Sequence, residues 1–295
     1  MAAVTRVAYL GPAGTFTEEA ARRFDIPGAQ YVPVDSPAAA LSAVDAGEAD
    51  YAVCAIENSI DGAVTTTMDA LAATPSARIV GETELAIAFA VMTRPGQMLD
   101  DASRLATHPV AHQQVKRWAG EHLPRAEFIP ASSNAAAAKM VADGAADVAV
   151  APERAAALHG LEVHARGVAD SGTARTRFVL VAKQPAIPAP TGDDRTAVVF
   201  RTRNEPGALV RVLQEFAARG VDMTRIESRP TREEPNTYDF FVDLAGHADE
   251  EAVAGALEAG AAHTTRLRLL GTWPRAARGP QPQPRAWSSC SSSPK

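Results

Sequence analysis

This sequence lacks three features that would each direct its interpretation. It has two cysteines in 295 residues, Cys54 in an apolar run and Cys290 in a serine-rich tail, so no disulfide framework follows. No apolar run approaches the roughly 18 residues that a membrane-spanning helix needs. The first ten residues contain one arginine and too short an apolar stretch for a signal peptide. We therefore expect a cytoplasmic protein with no membrane partner.

The sequence also lacks an excess of positive charge. Its formal net charge is −6, whereas nucleic-acid binders usually carry a basic stripe, so we expect no nucleic-acid partner. An anionic ligand would have to be held by donors placed locally rather than by a global positive field. The 46% hydrophobic and 22% charged content is ordinary for a globular protein. At roughly 100–200 residues per domain, the length predicts about two domains.

Strands and helices alternate in the first part of the chain, residues 1–184. Arg6–Leu10 is a short apolar run that ends in a glycine turn, and a helical segment follows over 16–24. Ser36-Pro37 predicts a helix start, with Gly47 as its stop and a buried strand over 51–56. The segment 176–182 predicts a returning strand, which we expect to cross between two lobes.

A second copy of this helix-turn-strand pattern follows 97 residues later. Residues 38–56 and 135–153 are identical at nine of nineteen positions, including a shared Gly-x-Ala-Asp-x-Ala-Val core. Two alanine-rich helices can match by chance, but the shared core favours an internal structural repeat. We therefore predict an α/β domain of two similar lobes around a crevice, in which ligands bind at the carboxyl ends of strands.

The composition changes at residues 185–194, where three prolines, Gly192 and two aspartates are typical of a linker. Residues 195–273 then predict the order βαββαβ, the ferredoxin-like arrangement. Residues 274–295 are rich in Pro, Ser, Gly and Arg, and we expect them to be disordered. The sequence therefore divides into a two-lobed domain, a linker, a small second domain and a tail.

Taken singly, the polar motifs leave alternatives open. Gly11-Pro12-Ala13-Gly14-Thr15-Phe16 offers a helix N-terminus to an anion, but it lacks the spacing of phosphate or dinucleotide loops, and a plain turn explains it too. Glu57-Asn58-Ser59 follows a buried strand and is either a site or a capped turn. His108 and His112 are four apart without an apparent third ligand, so we predict no metal site. Arg175 and Arg177 bind carboxylates or are solvated.

Taken together, the motifs resemble those of the prephenate dehydratases. The resemblance is carried by the Gly11–Phe16 motif, by Glu57-Asn58-Ser59 with Gly62, Val64, Thr67, Asp69 and Leu71, by His108-Pro109, and by Thr176-Arg177-Phe178. The second part resembles an ACT domain. It carries that family's two phenylalanine-recognition motifs, with the residues Asn204, Pro206, Gly207, Ala208, Leu209, Glu227, Ser228, Arg229 and Pro230. Residues 4–273 are covered. The chain departs from the pattern at Val110, where Gln is usual, and at Thr107, where Ser is common.

The resemblance implies a catalytic domain like the periplasmic binding proteins and an enzyme that converts prephenate to phenylpyruvate, carbon dioxide and water. It implies no cofactor, a monofunctional chain, phenylalanine as effector, and a homodimer or homotetramer. Thr176 is the expected donor to the leaving hydroxyl, and Arg177 contacts a carboxylate or orients Thr176. The expected substrate-binding residues are Thr15, Glu57, Asn58, Ser59, Thr107, Gln114, Asn134, Thr173 and Phe178. Arogenate dehydratase and a non-enzymatic two-lobed binding protein are the alternatives.

Overall fold

The computed structural model describes residues 4–170, 174–231 and 233–276. Thr173, an expected substrate-binding residue, lies outside the described residues, and so do residues 277–295 of the expected tail. Within the described ranges, no helix combines the length and the apolar character that crossing a bilayer requires.

The first lobe is built from both ends of the N-terminal part of the chain, residues 4–183. Its elements are β1 (Arg6–Leu10), α1 (Phe16–Arg23), β2 (Gln30–Val34), α2 (Pro37–Ala46), β3 (Tyr51–Asn58), β4 (Gly62–Ala63), α3 (Thr65–Ala73), β5 (Ala77–Ala86) and, after the second lobe, β11 (Arg175–Lys183). Strand β1 lies between β2 and β3 and is parallel to both, whereas β11 lies between β3 and β5 and is antiparallel to both.

The second lobe is inserted between β5 and β11. It comprises β6 (Ala90–Thr93), a short 3₁₀ turn (Leu99–Asp101), β7 (Arg104–Thr107), α4 (Pro109–Gln114), α5 (Lys116–His122), β8 (Glu127–Pro130), α6 (Asn134–Ala142), β9 (Val148–Ala151), α7 (Glu153–His159) and β10 (Glu162–Arg166). Its sheet has the order β10-β6-β9-β7-β8. The expectation that 176–182 crosses between lobes is wrong, because β11 pairs along its length with β3 and β5 of the first lobe.

The internal repeat is confirmed: both copies form a helix, a turn and a strand. Ser36 and Ser133 each cap a helix by accepting a hydrogen bond from the backbone three residues on, at Ala39 and Ala136. Gly47 and Gly144 follow those helices with φ of 75° and 80°, a conformation that glycine adopts without steric cost. The units continue into β3 and β9, which lie in the interior of their sheets.

The C-terminal domain has the βαββαβ order that the sequence predicts. Its elements are β12 (Asp194–Arg201), α8 (Ala208–Ala218), β13 (Met223–Pro230), β14 (Tyr238–Ala245), α9 (Glu251–Ala261) and β15 (Arg266–Pro274). The strands are antiparallel in the order β13-β14-β12-β15. Helices α8 and α9 cover one face, where Val198, Phe200, Val212 and Phe216 share a core.

The other face of this domain packs on the first lobe. Val199, Phe241, Leu270 and Trp273 are buried in one cluster with Leu41, Met68, Ile79 and Val179 of the first lobe. On the opposite side of the first-lobe sheet, Phe178 and Leu180 share a core with second-lobe residues such as Val148 and Trp118. The first-lobe sheet is therefore sandwiched between the second lobe and the C-terminal domain.

Gly271 marks the point where the two sheets join. Strand β15 meets β5 at Gly271 and Ile79, so that within the described residues the strands form one ten-stranded sheet. A Cβ placed on Gly271 would lie 2.0 Å from the carbonyl oxygen of Ile79, far inside contact distance. The absence of a side chain at this position therefore allows the two backbones to meet.

We predict that Gly271→Ala destabilises the protein by about 1–3 kcal/mol, because the methyl group forces β15 away from β5. Chemical denaturation measures the change. Gly28→Ala is the matched control: it also has positive φ, of 66°, but its Cβ would meet no atom within 4 Å. An equal loss of stability in the two variants would show that close contact at Gly271 contributes nothing.

Candidate active site

A cavity of about 780 Å³ lies between the two lobes, at the turn that follows β1. The N-cap residues of α1 and α6, Thr15 and Ser133, are both part of its wall. Helix N-termini carry a partial positive charge, which attracts anions. The cavity therefore favours an anion although the protein is acidic. Its other lining residues include Gly11, Pro12, Phe16, Asp35, His108, Ser132, Asn134 and Pro152.

Glu18 joins the lobes beside this cavity. Its side chain is 4% exposed, and it accepts hydrogen bonds from the Gly14 N–H (2.7 Å), from Arg22 in the same helix and from Arg154 in α7 of the second lobe (3.0 Å). Burial alone would raise the pKa of Glu18, but these hydrogen bonds outweigh it and lower the pKa. Glu18 is therefore an ionised contact between α1 and α7.

The second part of the site is the pair Asn58 and Thr176. Strands β3 and β11 bring them opposite each other, and the Asn58 Nδ2 donates to the Thr176 Oγ1 at 2.9 Å. The Asn58 Oδ1 accepts from the backbone N–H groups of Ile60 and Asp61 at 2.8 and 3.1 Å. Because the oxygen must face these two donors, the amide orientation is determined, and its nitrogen faces Thr176.

This arrangement has a chemical consequence for the Thr176 hydroxyl. Since its oxygen accepts from Asn58, its own proton remains available to another acceptor. Thr176 is only 6% exposed, so water screens such a hydrogen bond little. Thr176 is thus a nearly buried, oriented hydrogen-bond donor at the same sheet edge as the cavity, although it is not part of the cavity wall.

Arg177 lies on the other face of β11. Its side chain is 9% exposed, and its guanidinium contacts Asp243 of β14 (2.6 Å), Glu82 of β5 (3.2 Å) and Glu57 of β3 (3.2 Å). Burial lowers the pKa of Arg177, but the carboxylates of Asp243 and Glu82 raise it by more. Arg177 and Glu57, two of the expected site residues, therefore face the C-terminal domain.

The remaining expected residues divide between the cavity wall and the framework. The Thr15 hydroxyl caps α1, and Asn134 accepts from the backbone N–H of His108 at 3.2 Å while lining the cavity. Thr107 is fully buried and donates to the Val150 carbonyl. The Ser59 hydroxyl accepts from the Arg175 N–H. Phe178 is buried in the core between the lobes, and the buried Gln114 Oε1 has no partner among the described residues.

Of the two histidines, His108 caps α4 through its Nδ1, and the ring of His112 stacks on Phe128 with centroids 3.9 Å apart. The described residues contain no cluster of three or more His, Cys, Asp or Glu that is suited to a metal ion.

The two motifs of the C-terminal domain lie at different surfaces. Gly207, with φ of 77°, immediately precedes α8, so the turn presents the first N–H groups of that helix. Arg229 turns toward the first lobe, where its guanidinium donates two hydrogen bonds of 3.0 and 2.9 Å to the Asp69 carboxylate. Ser228 and Pro230 are exposed. The Glu227–Pro230 motif therefore lies next to α3 as well as on the domain surface.

Sequence reasoning missed Glu18, Arg154 and Asp243. Glu18 stands in the first helical turn after the Gly11–Phe16 motif, a position that suggested only a favourable charge near a helix N-terminus. Asp243 lies in the predicted strand 237–244, at a position that alternation predicts to be buried. A buried carboxylate needs a charged partner, so Asp243 could have been identified as part of an ion pair. Nothing in the sequence pairs either residue with its arginines.

Comparisons of sequence and of structure relate this chain to known proteins. The sequence model of the family described as prephenate dehydratase matches residues 7–186, and that of the ACT domain matches residues 196–259. A prephenate dehydratase of Corynebacterium glutamicum is 52% identical over 92% of this chain and 88% of its own. The crystal structure of prephenate dehydratase from Arthrobacter aurescens in complex with L-Phe is similar, with a TM-score of 0.86 and 41% identity over 92% of this chain and 90% of that chain. GqqA, described as a quorum quenching acylase, has a TM-score of 0.85 and 34% identity over 92% and 98%.

We predict that Glu18→Gln lowers the free energy of unfolding at pH 7 by about 1.5–3 kcal/mol, because it removes charge-assisted hydrogen bonds. The lowered pKa of Glu18 means that its ionised form stabilises the fold above the ordinary value of 4.5, and that this stabilisation disappears as the pH falls through the folded-state pKa. The difference between wild type and variant in urea unfolding should therefore shrink below pH 4.5. A difference independent of pH would contradict this role.

Proposed function

The chain belongs to the prephenate dehydratase family, and on that premise we propose that it converts prephenate to phenylpyruvate, with release of carbon dioxide and water. The observation that carries the proposal is the hydrogen bond from Asn58 to Thr176, which leaves the nearly buried threonine proton free for a leaving oxygen. This pair joins two of the motifs by which the sequence resembles the family.

The chemistry follows from the substrate. As the ring carboxylate departs as carbon dioxide, its bonding electrons enter the ring, and the ring becomes aromatic when the bond to the hydroxyl breaks. The departing oxygen takes that electron pair and leaves as water after gaining a proton. Thr176 stabilises this oxygen by a hydrogen bond or relays a proton from solvent, because an alcohol is too weak an acid to be a simple proton source.

Binding of the dianion falls to the wall of the cavity in this proposal. The N-termini of α1 and α6 supply positive potential, and Thr15 and Asn134 stand at these positions. The Asn134 oxygen accepts from the backbone N–H of His108, so the group that Asn134 offers a ligand is its amide donor. Four further residues would contribute to the shape of the site without lining the cavity: Ser59, Thr107, Gln114 and Phe178.

We propose prephenate rather than arogenate as the substrate, because relatives named prephenate dehydratase share 52% and 50% sequence identity with this chain. The acylase description belongs to a neighbour at 34% identity. Incubating the purified protein with prephenate, with arogenate and with an acylase substrate, while following aromatic product and amide hydrolysis, tests the assignment. Turnover of arogenate alone, acylase activity alone or no turnover would each refute it.

We predict that Thr176→Ala lowers kcat by about 100- to 1,000-fold, the usual effect of removing one transition-state hydrogen-bond donor. Steady-state assay with prephenate measures the loss, and circular dichroism checks that the fold persists. Thr176→Ser retains the hydroxyl and should retain most of the turnover.

Asn58→Asp sharpens this test. The carboxylate still accepts from Ile60 and Asp61 but has no donor for Thr176, so it draws the threonine proton toward itself. A similar loss of kcat is expected, and near-normal turnover in either Thr176→Ala or Asn58→Asp would contradict the role of the pair.

Regulation by phenylalanine is the second part of the proposal. Asn204, the Pro206–Leu209 turn and the Glu227–Pro230 segment would bind the effector, with helix N–H groups at its carboxylate. Strand β13 pairs on one side only among the described strands, and Ile226 on it and Val210 on α8 are 39% and 53% exposed. These features support pairing of two C-terminal domains along β13, in a dimer or a tetramer.

We predict that phenylalanine inhibits the enzyme, and that Gly207→Ala and Glu227→Gln each raise the half-inhibiting concentration by about tenfold or more while turnover persists. Alanine at φ of 77° distorts the turn that presents the helix N–H groups. Gly220→Ala is the matched control, since Gly220 has φ of 68° at the other end of α8 and open space around it. Unchanged inhibition in both test variants would refute the proposed effector site.

A further inference from the structure

Asp243 is a buried carboxylate that accepts from arginines of both domains. It is 1% exposed, and its oxygens contact Arg225 at 3.0 Å through two hydrogen bonds, Arg195 at 3.3 Å and Arg177 at 2.6 Å. Arg195 also lies 3.4 Å from Glu82 of the catalytic domain. Removal of one partner from such a buried ion pair is far more disruptive than loss of a surface pair.

The charged cluster around Asp243 is connected to the Asn58–Thr176 pair through the register of β3 and β11. Arg177 is paired with Glu57, and the neighbouring positions Thr176 and Asn58 are paired with each other. Successive side chains of a strand point to opposite faces, so one residue pair faces the C-terminal domain while the other faces the substrate side. A displacement of β11 relative to β3 that moves Arg177 against Glu57 would therefore also move Thr176 against Asn58.

The cluster is also connected to the proposed effector segment. Arg225 lies two residues before Glu227 on β13 and is on the same face of that strand. It shares the Asp243 carboxylate with Arg177. A displacement of β13 on effector binding therefore acts on the same carboxylate that holds Arg177.

We propose that Asp243 and Arg177 are positioning residues that set the Asn58–Thr176 geometry from the regulatory domain, and that Arg177 does not bind a substrate carboxylate. The inference rests on the proposed function, and it names the contact through which phenylalanine changes turnover. In the inhibited state, movement of Asp243 relaxes the hold on Arg177 and lengthens the hydrogen bond between Asn58 and Thr176.

Asp243→Asn in the full-length enzyme is the first test. We expect kcat for prephenate to fall about tenfold, KM to change less than about twofold, and inhibition by phenylalanine to weaken by a similar factor. Asp239→Asn is the matched control. Asp239 lies on the same face of β14 and binds Arg201 with two hydrogen bonds, but that partner belongs to its own domain. The control should keep wild-type kcat and inhibition.

Arg177→Met is the second test, and it decides the matter if Asp243→Asn fails to fold. Asp243 would still be paired with Arg225 and Arg195, so the charge cluster is not left without cations. A lower kcat with weakened inhibition supports a positioning role. A large rise in KM with normal inhibition would instead assign Arg177 to the substrate and overturn the inference.

The double variant Arg177→Met/Asp243→Asn completes a cycle when both single variants fold. If the two residues act through one contact, kcat of the double variant should fall only as far as that of the more affected single variant. If kcat falls by the product of the two single-variant factors, the residues act independently and the inference is overturned. Wild-type turnover in the same assay separates the outcomes. An inactive wild type refutes the proposed function itself, and an active wild type with an unaffected Asp243→Asn variant refutes the positioning role alone.

Discussion

Strand β11 runs through the middle of the ten-stranded sheet of the described residues, and its successive side chains leave on opposite faces. Thr176 on one face is bonded to Asn58, while Arg177 on the other is bonded to Asp243 of the C-terminal domain. A slip of one residue would exchange the two side chains and place an arginine where the threonine stands. Under the positioning proposal, the contact on the opposite face therefore holds the proposed reacting group in place.

The C-terminal domain is part of the framework that supports this strand. Phe241, Leu270 and Trp273 complete a core with Ile79 and Val179 of the catalytic domain. The guanidinium of Arg268 donates to the carbonyls of Leu71 and Thr74 at the end of α3, and its burial lowers its pKa to about 10. Close-packed interfaces of this kind have discrete arrangements and do not deform continuously, which suits a two-state regulatory element.

The cavity on the other side of the sheet has features that would suit an anionic ligand, although the protein is acidic. The cavity between the lobes takes its positive potential from the ends of α1 and α6, and a net charge of −6 does not prevent this, because dipole effects act within the first helical turn. The negative charge of Glu18 is paired with the guanidinium groups of Arg22 and Arg154, so it offsets little of this positive potential. In the proposed function, the local arrangement of donors therefore matters more for substrate binding than the overall charge does.

The sequence by itself determined the elements and their order. Ser36-Pro37 with Gly47 marked a helix, the repeated Gly-x-Ala-Asp pattern identified two similar lobes, and the spacing of turns predicted βαββαβ, because caps, turns and periodicity act over a few residues. The motifs pointed to Asn58 and Thr176. Only the tertiary structure decided that Arg177 faces Asp243, 66 residues away, that Glu18 reaches Arg154 across the lobes, and that Gly271 joins two sheets. Those contacts depend on strand register and domain packing, which join segments far apart in the chain and leave no local pattern in it.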